Sequence, residues 1–138
     1  MEIKRNDATI NRPEGDRVID APYVFIDIPA FIDQVKKEKA WEKNDRNGIT
    51  VFKSDKLTMV ITALQASAGI KDNIVDGFLI IQVLKGVTRI GTPEGDIDAT
   101  ENQVVTFHPG VPHSILALSD TILLLTNYSN EEKNRVHT

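Results

Sequence analysis

The chain has 138 residues, of which 26% are charged and 41% apolar, and its formal net charge is −4. These values predict one globular domain with a single hydrophobic core. No basic stripe occurs, so we expect no binding to nucleic acid. The absence of cysteine excludes a disulfide framework, a thiolate metal site and cysteine catalysis. Because no run of about 18 apolar residues occurs and the polar N-terminus does not resemble a signal peptide, we expect a cytoplasmic protein without membrane contact.

The first 28 residues predict an arm followed by an edge strand. Residues 1–20 are polar and charged, with a turn signal in the Pro-Glu-Gly-Asp sequence at 13–16, which indicates an extended arm. Residues 23–28 are rich in β-branched and aromatic side chains and alternate weakly, which favours a strand. An arm of this kind can pair with a sheet edge, either its own or that of a neighbouring chain.

Residues 29–47 predict a helical segment, with one amphipathic helix over about 29–44. Pro29 suits a first helical position, and Phe31, Val35 and Trp41 can share one face of the helix. A helix this short needs a surface on which to lie. The strands that follow it are the surface that we expect.

Residues 48–128 predict a run of short strands separated by turns. The predicted strands are 49–52, 57–64, 78–84, 87–90, 104–107, 114–118 and 121–126. The breaks between them supply glycine, proline, aspartate or serine, the residues that turns require. Strands this short and this closely spaced indicate an all-β sandwich or barrel. Residues 129–138, which include His137, are a predicted solvated tail.

The stretch 102–113, Asn-Gln-Val-Val-Thr-Phe-His-Pro-Gly-Val-Pro-His, resembles the second signature of the cupin superfamily, G-x5-P-x-G-x2-H-x3-N. Gly110 and His113 match that pattern at the right spacing. Three positions depart from it and are occupied by Asn102, His108 and Ala117. In the family, this strand and turn lead to a histidine that points into the barrel.

Upstream, residues 82–90 resemble the end of the first cupin signature, G-x5-H-x-H-x3–4-E-x6-G. Counting back from Gly86 puts Leu79 at the glutamate position. The two histidine positions fall on Asp72 and Ile74 or, with the shorter spacing, on Asn73 and Val75. The metal ligands of the family are normally three histidines and a glutamate. Of these four ligands, this sequence retains only His113.

The resemblance implies an all-β fold, a double-stranded β-helix (jelly-roll) barrel over 48–128. The arm and edge strand (1–28) and the helix (29–47) precede this barrel, and the tail (129–138) follows it within one domain. Small cupins commonly form two-fold dimers in which an arm or edge strand crosses to the partner. We therefore expect a homodimer.

The same resemblance places His113 at the mouth of the barrel. There it could act as a surviving metal ligand or as a base, while a structural histidine that bonds the neighbouring turn is the alternative. Leu79, Ile81 and Val83 share the strand face that would line a cavity. Thr106 is a further candidate for the cavity wall, and His108 could either face the same pocket or cap the turn.

Two functions follow as expectations. In the first, the barrel binds a small organic molecule in an apolar cavity and has no metal cofactor. In the second, the protein is a metal-dependent enzyme of the dioxygenase, isomerase or decarboxylase type. A weakly bound divalent metal would then be held by His113, His108 and either Asp72 or Asp76. A barrel filled by side chains would instead favour a dimerising structural module.

Overall fold

The computed structural model of the protein describes residues 2–129, except for the side chain of Asp72. These residues contain two helices and eleven strands, which confirms the all-β prediction. The helices are α1 (Ile28–Lys37) and α2 (Lys39–Lys43). The strands are β1 (Lys4–Asn6), β2 (Arg17–Asp20), β3 (Arg46–Lys53), β4 (Leu57–Leu64), β5 (Gly69–Asn73), β6 (Phe78–Lys85), β7 (Thr88–Thr92), β8 (Gly95–Ala99), β9 (Val104–Phe107), β10 (His113–Ala117) and β11 (Thr121–Tyr128).

Strands β3 to β11 form two antiparallel sheets, in the order β3-β4-β11-β6-β9 and β5-β10-β7-β8. Strands that follow one another in the chain often lie in different sheets, as in a double-stranded β-helix or jelly roll. The bounds predicted for β4 and β9 agree with the structure. Strands β5 and β8 were not predicted, because Gly-Ile-Lys-Asp-Asn and Gly-Asp-Ile-Asp-Ala carry too few apolar residues to show a buried face.

Two apolar clusters lie on opposite sides of the five-stranded sheet. The interior cluster, between the two sheets, contains Leu64, Ala68, Leu79, Ile81, Val83, Ile90, Ala99, Phe107, Ile115, Ala117 and Leu123. The helix cluster, between that sheet and the helices, contains Ile32, Val35, Ile49, Val51, Ile61, Ala63, Ile122 and Leu124. Successive strand residues point to opposite faces, so one strand can supply both clusters.

The helical segment differs from the single helix predicted over about 29–44. The carboxylate of Asp27 accepts a hydrogen bond from the backbone N–H of Ala30 at 3.2 Å and caps α1. At Glu38 the backbone is extended, with φ −72° and ψ 150°, and this residue separates α1 from α2. The sequence around Glu38 has no helix breaker, so its long-range contacts explain the interruption.

Those contacts form the arm seam, which we define as Arg12, Arg17, Gln34, Glu38 and Asn47. Arg12 donates to both carboxylate oxygens of Glu38, from Nη2 to Oε1 and from Nε to Oε2, each at 2.9 Å. Arg12 Nη2 also donates to the carbonyl oxygen of Gly48 at 2.6 Å, and Asn47 Nδ2 donates to that of Val35 at 2.9 Å. The seam joins the N-terminal residues to α1 and to β3 of the same chain.

The charges in the arm seam change the pKa values of two of its members. Burial by itself would raise the pKa of Glu38. Hydrogen bonds from Arg12, Asn47 and Gln34, together with the positive charge of Arg12, outweigh that effect and lower the pKa below its usual value. Burial and then the charge of Arg12 lower the pKa of Arg17, whose Nε donates to a β3 backbone oxygen. The seam therefore favours an ionised Glu38.

Residues 2–27 differ in detail from the predicted arm and edge strand. Strands β1 and β2 pair antiparallel within the segment predicted as the arm. The strand predicted over 23–28 is wrong, because residues 23–27 lie in no strand or helix and Ile28 begins α1. Apart from Ser129, the predicted tail lies outside the described residues, as does His137. None of the helices in the described part of the chain is long and apolar enough to cross a membrane.

Candidate functional site

His113 is the first residue of β10 and lies just after the turn that follows β9. Gly110 has a φ of +79°, a conformation that favours glycine. Its N–H donates to the carbonyl oxygen of Val75 at 2.9 Å, which ties the turn to the loop before β6. The chain then enters β10 with the imidazole of His113 buried, only 4% exposed.

The imidazole of His113 has one polar partner and one unpaired nitrogen. Its Nδ1 lies 3.2 Å from the carbonyl oxygen of Val111. Its ring stacks on Phe107 of the interior cluster, with ring centroids 5.0 Å apart and planes inclined by 24°. Nε2 is buried and has no hydrogen-bond partner among the described residues. Such unpaired buried polar atoms are rare in native proteins and need an explanation.

The ring on which His113 stacks belongs to an apolar region of the barrel interior. Leu79 and Phe107 are adjacent partners in the β6–β9 pairing and both belong to the interior cluster. Ile81 and Val83 follow Leu79 on the same face and are completely buried. All three predicted β6 residues therefore face the barrel interior. The interior is most tightly closed around Ile81 and Val83, while Leu79 and Phe107 retain some exposure.

His108 does not share the interior with His113. It is exposed, and its ring lies against that of Phe78, with centroids 4.9 Å apart. Phe78 precedes Leu79 in β6 and therefore lies on the outer face of the sheet. Thr106 is also exposed and alternates with the buried Phe107, so the structure places it on the outer face instead of the predicted cavity wall.

The two candidate aspartates lie before β6. Asp76 is exposed in the loop between β5 and β6. Asp72 lies in β5, next to Asn73, whose Cα pairs with that of His113. Of the remaining polar strand residues, Arg89 forms an exposed ion pair with Asp98 at 2.8 Å.

Solved structures with a similar backbone allow the fold to be named. A cupin superfamily protein from Desulfitobacterium hafniense has a TM-score of 0.61 at 15% identity, and the match covers 63% of this chain and 80% of that one. An RmlC-like cupin protein from Desulfovibrio desulfuricans has a TM-score of 0.55 at 22% identity, with 60% and 81% covered. A conserved Streptococcus pyogenes protein of unknown function has a TM-score of 0.60 at 19% identity, with 64% and 78% covered.

The chain has a cupin fold. At these identities the likeness is one of fold. No protein-family model matches the sequence, and no curated protein matches it.

The cupin barrel of this chain does not fit the metal site that the family signature implies. Among the described residues, no group of three or more histidine, cysteine, aspartate or glutamate side chains could hold a metal ion. The imidazole of His113 stacks on the aromatic ring of Phe107, while His108 lies outside the barrel. A divalent metal needs three or four converging nitrogen or oxygen ligands, so we derive no metal chemistry for this barrel.

Two interior residues were missed from the sequence. Thr88, at the start of β7, is completely buried and its Oγ1 has no hydrogen-bond partner among the described residues. Phe107 provides the surface on which His113 stacks. Alternation along β9 could have identified Phe107, because exposed Thr106 and buried Phe107 point to opposite faces. No local signal distinguishes the hydroxyl of Thr88 from that of a paired strand threonine.

Proposed function

We propose that this cupin barrel binds a small organic molecule at its His113 end without a tightly bound metal. The ligand has an apolar body and one hydrogen-bond donor, which pairs with Nε2 of His113. The observation that carries this proposal is that Nε2 is buried and finds no partner among the residues that the structure describes. A buried polar atom without a partner costs about 1 to 3 kcal/mol, and a ligand that supplies the partner recovers this cost.

The direction of the hydrogen bond follows from the other nitrogen of the ring. A carbonyl oxygen only accepts, so Nδ1 carries the proton when it bonds the carbonyl of Val111. In the neutral ring, Nε2 then presents a lone pair. The partner of the neutral ring is therefore a donor, such as a hydroxyl or an N–H group. A carboxylate, which only accepts, does not suit the neutral ring.

The apolar part of the ligand follows from the interior cluster, which contains the ring on which the imidazole stacks. Phe107 and Leu79 belong to the interior cluster, and Val75, Val111 and Leu125 pack against it while remaining partly accessible. An apolar region with a few polar groups is typical of a ligand site, in which the polar groups orient an apolar body. A phenol or another apolar alcohol has this combination of groups.

Binding can be tested with a matched pair of small molecules. 4-Ethylphenol offers a hydroxyl donor, and 4-ethylanisole replaces that hydroxyl with a methyl ether. We expect calorimetry to give tighter binding of the phenol by roughly three- to tenfold, the value of one net hydrogen bond. In His113→Leu the two affinities should become equal, while His108→Leu, which changes the outer histidine, should leave the preference intact.

Other results would contradict the proposal. If neither molecule binds the wild-type protein, the interior is filled by side chains and the structural module is favoured. If both bind equally well, Nε2 does not orient the ligand. Stoichiometric iron, manganese, nickel or zinc in protein purified without chelator, lost in His113→Ala, would instead support the metal-dependent enzyme. Mass spectrometry of an organic extract from the purified protein would identify a natural ligand.

A further inference from the structure

A groove of about 540 Å³ lies along the arm seam, outside the barrel interior. Every seam residue except Gln34 lines it, and the other lining residues come from β1, from the connection between β1 and β2, and from α2. Ala40 is the one apolar side chain among the described residues that line this polar groove. The groove therefore offers a ligand charge and hydrogen bonds, with little apolar contact.

The two guanidinium groups of the polar groove carry more positive charge than the seam neutralises. Arg12 pairs with Glu38, and the two side chains are only 23% and 11% exposed. Arg17 donates instead to uncharged groups, the carbonyl oxygens of Thr50 and Gly15, at 2.8 and 2.6 Å. After burial, the charge of Arg12 is the next cause that lowers the pKa of Arg17. One partly buried positive charge therefore lacks an ionised partner in the seam.

Hydrogen-bond donors without a protein acceptor remain around the polar groove. Nη1 of Arg12 and Nη2 of Arg17 donate to none of the described residues, although the other guanidinium nitrogens do. Thr9 Oγ1 accepts from the backbone N–H of Arg12 at 3.0 Å, so its own proton can be donated. The amide side chains of Asn6 and Asn11 also line the groove, and each carries an NH₂ donor group.

We propose that the polar groove binds the oxyanion group, a phosphate or a carboxylate, of a small polar molecule. The oxygens of such a group accept hydrogen bonds from Arg12 and Arg17 and supply the negative charge that the seam lacks. A volume of about 540 Å³ lies within the range of small-molecule sites, about 300 to 1,000 Å³. The groove therefore also has room for a polar body that carries the oxyanion.

Three small molecules with the same polar body test the proposal. Glycerol 3-phosphate carries a phosphate, glycerate carries a carboxylate, and glycerol carries neither. We expect calorimetry at about 20 mM sodium chloride to give a dissociation constant below about 1 mM for at least one of the two anions, and at least tenfold weaker binding of glycerol. The anion that binds more tightly identifies the preferred group. Raising the salt to about 500 mM should weaken binding several-fold.

Charge substitutions separate the polar groove from a general effect of net charge. Arg17→Met should weaken binding of the preferred anion by about tenfold or more, because it removes one guanidinium donor. Arg5→Met is the matched control. Arg5 pairs with Asp16 on the surface and is not among the groove-lining residues, so this variant should change the affinity less than about twofold. Asp7→Asn removes an exposed carboxylate that lines the groove and should strengthen binding about twofold.

The proposal is overturned if neither anion binds at about 10 mM, if glycerol binds as tightly as the anions, or if Arg5→Met and Arg17→Met behave alike. Circular dichroism checks that each variant folds. If Arg17→Met does not fold, Asp7→Asn decides the matter, because unchanged or weaker binding in this surface variant would also overturn the proposal. His113→Leu should bind the anion as the wild type does, and a loss of binding there would place the anion in the barrel instead.

Discussion

The barrel interior and the arm seam both bury polar groups, but these groups differ in their hydrogen bonding. In the seam, Arg12 donates to Glu38 and Gly48, and Asn47 donates to the carbonyl oxygen of Val35. In the interior, Nε2 of His113 and Oγ1 of Thr88 have no partner among the described residues. The paired polar groups of the seam therefore help to stabilise the folded chain, whereas the two unpaired atoms of the interior do not.

The difference separates polar groups that stabilise the fold from polar groups that the fold leaves unpaired. A polar group that joins two elements must be paired, because an unpaired buried group costs more free energy than a hydrogen bond contributes. The seam residues are paired, and through Arg12 and Arg17 they connect the N-terminal segment to Glu38 and to backbone oxygens of β3. The unpaired atoms of the interior contribute nothing to that framework. They persist either at a cost in stability or because a ligand supplies their partner.

The largest effect is expected from Arg12→Met in the arm seam. This change leaves the carboxylate of Glu38 without the two hydrogen bonds that compensate for its burial. We expect the free energy of unfolding in urea to fall by about 2 kcal/mol. Arg89→Met, which breaks the exposed pair with Asp98, should change stability little. Equal losses in both variants would remove the distinction between the seam and a surface ion pair.

Acid should weaken the seam through Glu38. Because the folded state lowers the pKa of this carboxyl group, its contribution is complete above the unfolded pKa of about 4.3. It is lost as the pH falls through the lower, folded value. We expect the stability difference between wild type and Glu38→Gln to be constant from pH 8 to about 5.5 and to shrink below about 4.5. A difference that grows on acidification would contradict the stated sign.

Two buried threonines differ in whether the side-chain hydroxyl forms a hydrogen bond. Thr121 Oγ1 donates to the carbonyl oxygen of Ser119 at 2.9 Å, whereas Thr88 Oγ1 has no partner in the part of the chain that the structure describes. Valine has nearly the same shape as threonine. We therefore expect Thr88→Val to raise the free energy of unfolding by about 1 kcal/mol and Thr121→Val to lower it by about 1 kcal/mol. Thermal and urea unfolding measure both, and a loss in Thr88→Val would indicate an undetected partner.

The smallest effect on stability is expected at the two histidines. His113→Leu removes the unpaired Nε2 together with the bond to Val111, and these changes partly cancel. We expect its free energy of unfolding to stay within about 1 kcal/mol of wild type, and that of His108→Leu within about 0.5 kcal/mol. A loss of about 3 kcal/mol or more in His113→Leu would favour the structural role for this histidine.

Much of the barrel could be predicted from local pattern, but the candidate site could be predicted only in part. Alternation along β6 correctly separates Leu79, Ile81 and Val83 from their neighbours, because strand geometry alone sends alternate side chains to opposite faces. The same rule did not decide on which side His108 lies, since it follows β9 at the start of an irregular turn. Its contact with Phe78 depends on the pairing of β9 with β6.

The sequence by itself determined most strands of the barrel and the turn before β10, because these depend on residue type and local spacing. Only the tertiary structure decided that Nε2 of His113 has no partner within residues 2–129, that Glu38 interrupts the helical segment and that residues 23–27 form no strand with the described part of the chain. Each of these depends on partners distant in the chain. A hydrogen bond or a strand pair requires two partners. The local sequence around one partner does not specify where the other lies in the fold.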